Sequence, residues 1–288
     1  MPKVPSVWTV LSMLEWATEF FAEKEVKSPR LSIEWLLAYV LSAKRLDLYL
    51  AYDRPLSTEE LADLKPLIKR RALHEPLQYI TGETDFHQVK MKVEPGVLIP
   101  RQETEQLVEL ILQNHKEESA LKVLDIGTGS GCIPIALKNS RTKWEVFATD
   151  VSSEALGIAR QNAELNKTDV NFAEDDIFTP QAFPKEMKFD LIISNPPYIL
   201  PAEKEGLDKE VKLYEPELAL FCSSTEKMYG AIEQFSANHL SKNGNVYLEL
   251  HENYAHEVKA IFESKNWKAS LIQDYSEKAR FLSANRKK

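Results

Sequence analysis

The sequence predicts an α/β protein in which a small all-α bundle and a β-hairpin linker precede a mainly parallel, seven-stranded sheet. Three observations predict this order. The first part of the chain carries apolar residues at helical spacing, the next part alternates apolar and polar residues, and from Leu121 onward strand and helix patterns alternate. A chain of 288 residues is long enough for one large domain and a smaller one.

The N-terminal stretch has the pattern of a compact helical bundle. Apolar residues recur at helical spacing between residues 7 and 17, and again between residues 31 and 40. The Ser-Thr-Glu-Glu run that starts at Ser57 is a capping box, with Ser57 as the N-cap and Glu60 three residues later. We therefore predict a helical domain over residues 1–74.

The stretch that follows changes from a helical to an alternating period. Val89, Met91 and Val93 alternate with lysines, which is typical of a half-buried strand. A glycine lies in the preceding turn region, so we predict a hairpin over residues 78–94. This hairpin forms the linker that we assign to residues 75–97.

The remainder of the chain, residues 98–288, is predicted to form the sheet domain. Apolar strand patterns occur at 121–127, 144–150, 170–174, 189–195 and 245–250. Helical segments separate most of them, near 131–139, 153–165, 226–240 and 253–264. Repeated βα units imply parallel strands with helices on both faces of the sheet. Two further strand patterns close the chain, at 267–274 and 279–285.

Composition and charge weigh against several classes of function. The net charge of −8 and the pI of about 5.4 argue against sequence-independent binding of nucleic acid over a broad basic surface. The two cysteines, Cys132 and Cys222, lack metal-ligand spacing and the histidines form no zinc-like cluster, so we expect no metal site. No apolar run is long enough to span a membrane and the N-terminus has no signal-peptide pattern, so we expect a cytoplasmic protein.

A glycine-rich loop follows the first predicted strand of the sheet, in the pattern Asp-x-Gly-x-Gly-x-Gly that begins at Asp125. Glycines let this backbone turn tightly, and the loop opens a helix whose free N–H groups favour an anionic group. A dinucleotide site requires a glycine where this chain has Cys132, and no Lys-Ser/Thr pair follows as in a P-loop. The candidate cofactor-binding residues of the loop are Gly127, Thr128, Gly129, Ser130 and Gly131.

Two acidic positions follow the next two predicted strands. Asp150 ends the second strand, where its carboxylate can accept bonds from two ribose hydroxyls, although an aspartate before Ser152 can also simply cap the next helix. After the third strand, Asp176 is a candidate acceptor for an adenine amine, and Ile177 and Phe178 can flank the ring. Together with the glycine loop, these positions resemble the class I methyltransferases, a Rossmann-like fold that binds S-adenosyl-L-methionine.

The fourth predicted strand ends in Asn195, Pro196, Pro197 and Tyr198, at the edge where open α/β sheets bind ligands. The side-chain oxygen of Asn195 and the carbonyl of Pro196 can accept the N–H hydrogens of a planar nitrogen and aim its lone pair at a methyl group. The two prolines add no competing donor and stiffen the loop. Tyr198 offers a flat face to a planar substrate group. We expect these four residues to be catalytic without a strong general base, and Asn195 also to contact the cofactor.

Three longer stretches extend the resemblance over nearly the whole chain: residues 70–105, 211–220 and 274–282. They are similar to the HemK/PrmC type of release factor glutamine methyltransferases. The resemblance implies methylation of N5 of the glutamine in the Gly-Gly-Gln motif of class 1 peptide-chain release factors, which modulates translation termination. It also implies that the glycine loop, Asp150 and Ile177 line the cofactor, while Asn195 to Tyr198 hold the glutamine amide.

The stretch around Arg101 has a physical interpretation of its own. Arg101 can pair with a cofactor or loop carboxylate, and Glu103 and Glu105 can cap a helix that starts near Thr104. The helical domain shows no catalytic group, and our hypothesis is that it binds the body of the release factor.

Two other functions share some of these features. A DNA or RNA adenine methyltransferase uses the same cofactor and a similar loop, but the acidic charge, the short insert after the loop and the lack of a basic recognition segment weigh against it. A cofactor-binding interaction protein without activity would not need the amide of Asn195. We expect neither a membrane nor a nucleic acid as a direct partner.

Overall fold

The computed structural model describes residues 5–115 and 120–287. The predicted limits of the helical domain at residue 1 and of the sheet domain at residue 288 lie outside the described residues. All contacts given below are between residues within the described ranges.

The chain divides into two compact units. The helical unit runs to Gly82 and includes Asp208–Tyr214, a segment from the second half of the sequence. The sheet unit comprises Glu83–Leu207 and the chain from Glu215 onward. The division at Gly82 falls inside the stretch that we assign to the linker, residues 75–97.

The elements follow the predicted order. The first helices are α1 (Val10–Glu23), α2 (Pro29–Val40), α3 (Arg45–Leu50), α4 (Thr58–Ala72) and α5 (Leu77–Thr81). Next come β1 (Glu83–Phe86), β2 (Val89–Lys92), α6 (Gln102–Asn114), β3 (Lys122–Ile126), α7 (Cys132–Ser140), β4 (Glu145–Asp150), α8 (Ser153–Leu165), β5 (Asn171–Glu174) and β6 (Phe189–Ser194). The last are α9 (Lys209–Tyr214), α10 (Glu217–Leu220), α11 (Thr225–His239), β7 (Leu240–Glu249), α12 (Ala255–Ser264), β8 (Trp267–Gln273) and β9 (Ala279–Arg286), with short 3-10 helices at Pro201–Gly206 and Glu252–Tyr254.

Helices α1, α2 and α4 form where the sequence patterns predict them. The Ser57 hydroxyl accepts from the Glu60 N–H at 3.2 Å, and Glu60 Oε2 accepts from the Ser57 N–H at 2.9 Å, which confirms the predicted capping box. Apolar faces of α1, α2 and α4 form one buried core that includes Leu14, Phe21 and Leu36.

The predicted hairpin exists but is shorter than residues 78–94. β1 and β2 pair antiparallel. The prediction is wrong for residues 78–81, which belong to α5, because Gly82 adopts φ +78° and ends that helix instead of forming the hairpin turn. The hairpin packs within the sheet unit, where the side-chain amides of Asn162 in α8 and of Asn166, the C-cap of α8, bond to the backbone of β2.

The sheet unit contains the predicted seven-stranded, mainly parallel sheet. The strand order is β5-β4-β3-β6-β7-β9-β8; β9 pairs antiparallel with both β7 and β8, and the other described neighbours in this sheet pair parallel. The chain passes from β3 out to β5 and then returns to β6 on the other side of β3. This reversal opens a crevice at the carboxyl ends of β3 and β6, where such sheets bind ligands.

A segment from the second half of the chain completes the helical unit. Glu210 of α9 accepts from the guanidinium of Arg71 at 2.7 Å, and Arg71 is only 3% exposed. The same guanidinium donates to the Ser32 hydroxyl at 3.0 Å and to the Glu75 carbonyl at 2.8 Å. Because a buried charge is costly unless it is paired, this cluster anchors α9 to the bundle.

We expect Glu210→Ala to lower the free energy of unfolding by about 1–3 kcal/mol, because it leaves the buried Arg71 guanidinium without its anionic partner. The matched control is Asp208→Ala on the same segment. Asp208 pairs with Lys27 at 2.7 Å, but both side chains are more than half exposed, so this pair should add little to stability. Urea unfolding followed by circular dichroism measures both variants, and equal losses would contradict the role given to the buried pair.

Candidate active site

The candidate active site lies where three neighbouring parallel strands end. Ile126 at the end of β3 pairs with Thr149 in β4 and with Ser194 in β6. The glycine loop, Asp150 and Asn195 therefore leave the sheet side by side at its carboxyl edge. The Ser194 hydroxyl reinforces this arrangement by donating to the Ile126 carbonyl at 2.7 Å.

A cavity of about 510 Å³ opens at this edge, a size typical of cofactor and small-molecule sites. Gly131 and Tyr198 are the predicted site residues that do not line it. The predicted residues that line it are Gly127, Thr128, Gly129, Ser130, Asp150, Asp176, Ile177, Asn195, Pro196 and Pro197. The structure therefore gathers most of the predicted site around one cavity within the sheet unit.

The glycine loop turns through backbone conformations that favour glycine. Gly127, Gly129 and Gly131 have φ of +71°, +55° and +83°. The N–H groups of Gly127 and Thr128 both donate to the Thr149 carbonyl, at 2.8 and 2.9 Å. These bonds hold the loop against β4, so that the first residues of α7 line the cavity.

Asp150 orients the loop through both of its carboxylate oxygens. Oδ2 accepts from the Gly129 N–H at 2.8 Å, and Oδ1 accepts from the Ser152 N–H at 2.9 Å. Burial raises the pKa of Asp150, and these backbone bonds oppose that effect. The cap of α8 is Ser152, whose hydroxyl accepts from the Ala155 N–H at 3.2 Å. The remaining lone pairs of Asp150 are therefore available to a ligand hydroxyl.

A second acid, Asp125 in β3, is buried beside the loop. Burial raises the pKa of its carboxyl to about 8, and the Thr128 hydroxyl offsets this effect only in part. Within residues 5–115 and 120–287, neither the Asp125 carboxyl nor the Thr128 hydroxyl makes a hydrogen bond of ordinary geometry. Buried polar atoms without partners are unusual, which makes the Asp125 carboxyl and the Thr128 hydroxyl candidates for contact with a polar ligand.

The segment after β5 forms one wall of the cavity. Asp176 Oδ1 accepts from the Phe178 N–H at 2.9 Å, which fixes a tight turn. Ile177 packs against the core of the sheet unit, while the Phe178 ring is 43% exposed with Lys227 Nζ 5.2 Å from its centre. Ile177 and Phe178 thus offer an apolar surface beside the Asp176 carboxylate.

The Asn-Pro-Pro-Tyr loop is held at both ends. Asn195 follows β6 directly, and its side-chain Nδ2 donates to Thr104 Oγ1 at 3.1 Å. Beyond the prolines, the Ile199 N–H donates to the Leu220 carbonyl and the Ile199 carbonyl accepts from the Cys222 N–H, each at 3.0 Å. This bracing keeps Asn195 and the prolines at the cavity wall.

Sequence reasoning missed two residues that support this loop. Thr104 Oγ1 donates to Glu249 Oε2 at 2.8 Å, and the Tyr198 hydroxyl lies 3.4 Å from Glu249 Oε1. Burial raises the pKa of Glu249 to about 7, while Thr104 and the charge of Arg280 act in the opposite direction. The signal available in the sequence was the position of Glu249 within the apolar run of residues 246–250.

Arg101 pairs with a loop carboxylate, which was one of the two roles considered for it. Its guanidinium donates to Glu215, and Glu215 Oε2 also accepts from the Ile99 N–H at 3.3 Å. The expectation that Glu103 and Glu105 cap a helix near Thr104 is wrong. α6 begins at Gln102 with Arg101 as its N-cap residue, no side chain caps it, and both glutamates lie inside its first turn.

Both cysteines of the chain line the cavity. Cys132 and Cys222 are free and buried, and burial raises the pKa of Cys132 to about 12, which makes it unreactive near neutral pH. In the part of the chain that the structure describes, His, Cys, Asp and Glu side chains form no group of three or more that could hold a metal ion. None of the described helices combines the length and apolarity needed to cross a membrane.

Comparison with known proteins identifies the family. Residues 12–82 match the PrmC N-terminal domain, and residues 88–210 match the methyltransferase small domain. The release factor glutamine methyltransferase of Geobacter sulfurreducens is 40% identical over 263 residues, which cover 91% of each chain. That of Chlorobaculum tepidum is 39% identical and covers 96% of this chain and 97% of its own. The chain belongs to the release factor glutamine methyltransferase family.

Membership of the release factor glutamine methyltransferase family confirms the predicted resemblance and the enzyme class. Among solved structures, the 16S rRNA N2 G1207 methyltransferase of T. thermophilus matches with a TM-score of 0.53 and 18% identity, over 71% of this chain and 50% of that chain. At that identity the likeness shows the fold alone. It confirms the predicted class I, Rossmann-like methyltransferase fold.

We expect Gly131→Ala to lower the free energy of unfolding of this chain by about 1–3 kcal/mol. A Cβ there would lie 3.0 Å from Ile135 Cδ1 and 3.1 Å from Ala159 Cβ, on backbone with φ +83°. The matched control is Gly157→Ala in α8, where a Cβ meets nothing within 4 Å and alanine is the better helix former. Urea unfolding compares them, and a Gly131→Ala protein as stable as the control would refute the packing argument.

Proposed function

We propose that this chain transfers a methyl group from S-adenosyl-L-methionine to the side-chain amide nitrogen (N5) of the glutamine in the Gly-Gly-Gln motif of class 1 peptide-chain release factors, and so modulates translation termination. The observation that carries the proposal is the fixed amide of Asn195. Its Nδ2 bonds to Thr104 at the wall of a cavity that also contains the glycine loop and Asp150. The names of the relatives in Geobacter sulfurreducens and Chlorobaculum tepidum support the same reaction.

The residues of the cavity fit S-adenosyl-L-methionine part by part. N–H groups at the glycine loop and the start of α7 suit the methionine carboxylate, and the unpaired Thr128 hydroxyl adds a polar partner. Asp150 keeps lone pairs for the ribose hydroxyls, and Asp176 and Ile177 suit the adenine amine and ring. When bound, this cofactor supplies an electrophilic methyl group on a sulfonium sulfur.

Asn195 performs the central task in the proposed reaction. With Nδ2 engaged by Thr104, the oxygen Oδ1 remains as the acceptor of the side chain. Oδ1 and the Pro196 carbonyl accept the two N–H hydrogens of the glutamine carboxamide, which reduces the conjugation of its nitrogen and directs the lone pair at the methyl carbon. The nitrogen–carbon bond forms as the carbon–sulfur bond breaks, and the nitrogen then releases one proton to water.

The loop positions the substrate amide and excludes water, and it contains no strong base. The charge on sulfur disperses as the methyl group moves, so fixed dipoles and excluded water favour the transition state. Pro196 is buried and Pro197 is half-buried, and neither has an N–H that would compete for the acceptors. We therefore assign Asn195 and Pro196 to the hydrogen bonds, and Pro197 and Tyr198 to the shape of the loop; the planar contact expected of Tyr198 is not supported, because Tyr198 packs against the core of the sheet unit and does not line the cavity.

We propose that the partner is a protein and not a nucleic acid. The net charge of −8 disfavours binding to a phosphate backbone, whereas an isolated peptide tip carrying one amide is compatible with a cavity of about 510 Å³. Nor do we propose a membrane as a partner. Because release factors act where translation occurs, we place the activity in the cytoplasm.

We further propose that the helical unit binds the body of the release factor. Three apolar side chains of α2 lie on one exposed face at a spacing of four residues: Leu31, Trp35 and Tyr39 are 37%, 46% and 49% exposed. The opposite face of α2, with Ile33 and Leu36, is fully buried in the core of this unit. An exposed aromatic stripe of this kind is a common anchor for a protein partner.

The first test is incubation of the purified protein with S-adenosyl-L-methionine and an intact class 1 release factor, followed by peptide mass spectrometry of the Gly-Gly-Gln tip. We expect one added methyl group on the glutamine side chain. Asn195→Ala should lower kcat by about 10²- to 10³-fold, as expected on removal of one preorganised polar partner.

Asn238→Ala is the matched control for this test. Asn238 is exposed, and its side-chain amide donates to the Gln234 carbonyl within its own helix, so its variant should retain full activity. An unmodified glutamine in the wild-type reaction, or methylation of adenine in DNA or RNA, would overturn the proposed function. Retained binding to nucleic acid at about 0.2 M salt would support the adenine methyltransferase instead.

The exposed face of α2 is tested by Trp35→Ser. We expect KM for the intact release factor to rise at least about fivefold, because an exposed aromatic anchor is lost, while the rate with a short Gly-Gly-Gln peptide stays unchanged. Leu165→Ser in the sheet unit is the control, since Leu165 is a similarly exposed apolar residue at 56%. An unchanged KM for Trp35→Ser would exclude this face from recognition.

A further inference from the structure

The side-chain amide of Asn195 has two orientations that differ by a flip. In one of them Nδ2 faces Thr104 and Oδ1 is left for a substrate, and in the other the two atoms exchange places. The orientation seen here has Nδ2 3.1 Å from Thr104 Oγ1. Only this orientation presents a hydrogen-bond acceptor to an incoming amide, because Nδ2 has no lone pair to offer.

The hydrogen bonds beyond Thr104 select between these orientations. Thr104 has one hydroxyl proton, and Oγ1 lies 2.8 Å from Glu249 Oε2. An ionised carboxylate only accepts, so it takes this proton and leaves the lone pairs of Oγ1 facing Asn195. A lone pair requires a donor opposite it, and Nδ2 is the donor of an asparagine.

We propose that Thr104 and Glu249 are positioning residues that set the polarity of the hydrogen bond to Asn195 and thereby keep its Oδ1 directed to the substrate amide. The inference rests on the proposed role of Asn195 as an acceptor. It adds two residues that act through Asn195.

Glu249 is itself held in place for this task. It is 1% exposed at the end of β7, and its main-chain carbonyl accepts from the Tyr229 hydroxyl at 3.0 Å. Its other carboxylate oxygen, Oε1, lies 3.4 Å from the Tyr198 hydroxyl. One carboxylate therefore bonds, through Thr104 and through Tyr198, to both ends of the Asn-Pro-Pro-Tyr loop.

Protonation of Glu249 weakens its effect on the orientation of the Asn195 amide. A neutral carboxyl can donate to Thr104, so the Thr104 proton becomes free to turn toward Asn195 and stabilise the flipped amide. Because the pKa of Glu249 is raised to about 7, this change falls near neutral pH. The titratable or charged groups that act on Glu249 come from five elements or loops: Glu103 (α6), Cys132 (α7), Tyr198 (loop), Tyr229 (α11) and Arg280 (β9).

The first experiment compares the kcat of Thr104→Val with that of Thr104→Ser for methylation of the intact release factor. Valine keeps the shape and removes the hydroxyl, so we expect kcat to fall by about 10- to 100-fold. Serine restores the hydroxyl and should bring kcat to within about threefold of wild type. Thr18→Val is the matched control, because Thr18 is a helical threonine of α1 whose hydroxyl bonds to the Leu14 carbonyl at 2.6 Å, and its variant should be fully active.

The second experiment uses Glu249→Gln and a pH series. For the wild type we expect kcat to fall as the pH drops below about 7, because the protonated carboxyl no longer fixes the bond polarity. Glu249→Gln should show a lower kcat that no longer changes with pH across this range. A purely structural role for Glu249 would change stability or KM without removing this dependence on pH.

A third measurement does not depend on activity. In nitrogen-15 spectra, the Asn195 side-chain NH₂ should show one proton protected from exchange by Thr104 in the wild type, and this protection should disappear in Thr104→Val. A Thr104→Val protein with wild-type kcat and unchanged protection, or a Thr104→Ser protein as inactive as Thr104→Val, would overturn the inference. An inactive wild type that keeps the protected proton would overturn the proposed function and leave the amide orientation confirmed.

Discussion

The hydrogen bond from Asn195 to Thr104 fixes the side-chain amide on which the proposed reaction depends. Because β6 lies beside β3 in the sheet, Asn195 lies next to the glycine loop. An asparagine on a mobile loop would present its nitrogen as often as its oxygen. In the proposed reaction, the strand end, the two prolines and the Thr104 hydroxyl hold Asn195 in one orientation, so that its acceptor oxygen is preorganised before a substrate arrives.

Buried acids give this site an electrostatic character unlike that of the rest of the molecule. The whole chain carries a net charge of −8, yet burial raises the pKa of Asp125 to about 8 and that of Glu249 to about 7. Both carboxyls therefore lose part or all of their charge near neutral pH. The positive charge of a bound sulfonium would stabilise the ionised forms of Asp125 and Glu249. Binding of such a cofactor would therefore lower the pKa of both acids.

Local patterns in the sequence predicted the strands, the capping box at Ser57 and the loops at the carboxyl edge. Hydrophobic periodicity, glycine spacing and paired prolines are each visible within a few consecutive residues. They did not reveal Thr104 and Glu249, which lie 145 positions apart and bond only in the folded chain. The joining of α9 to the helical unit through Arg71 is likewise a long-range contact without a local signature. The hairpin was placed too early because a glycine can end a helix as readily as it can form a turn.

The most direct test of the account is a crystal structure with S-adenosylhomocysteine and a Gly-Gly-Gln peptide bound together. The account predicts that the glutamine nitrogen lies about 2.8–3.2 Å from both Asn195 Oδ1 and the Pro196 carbonyl oxygen, on the line that leads to the sulfur atom. A complex in which the amide of residue 195 points away from that nitrogen, or presents Nδ2 to it, would contradict the central claim.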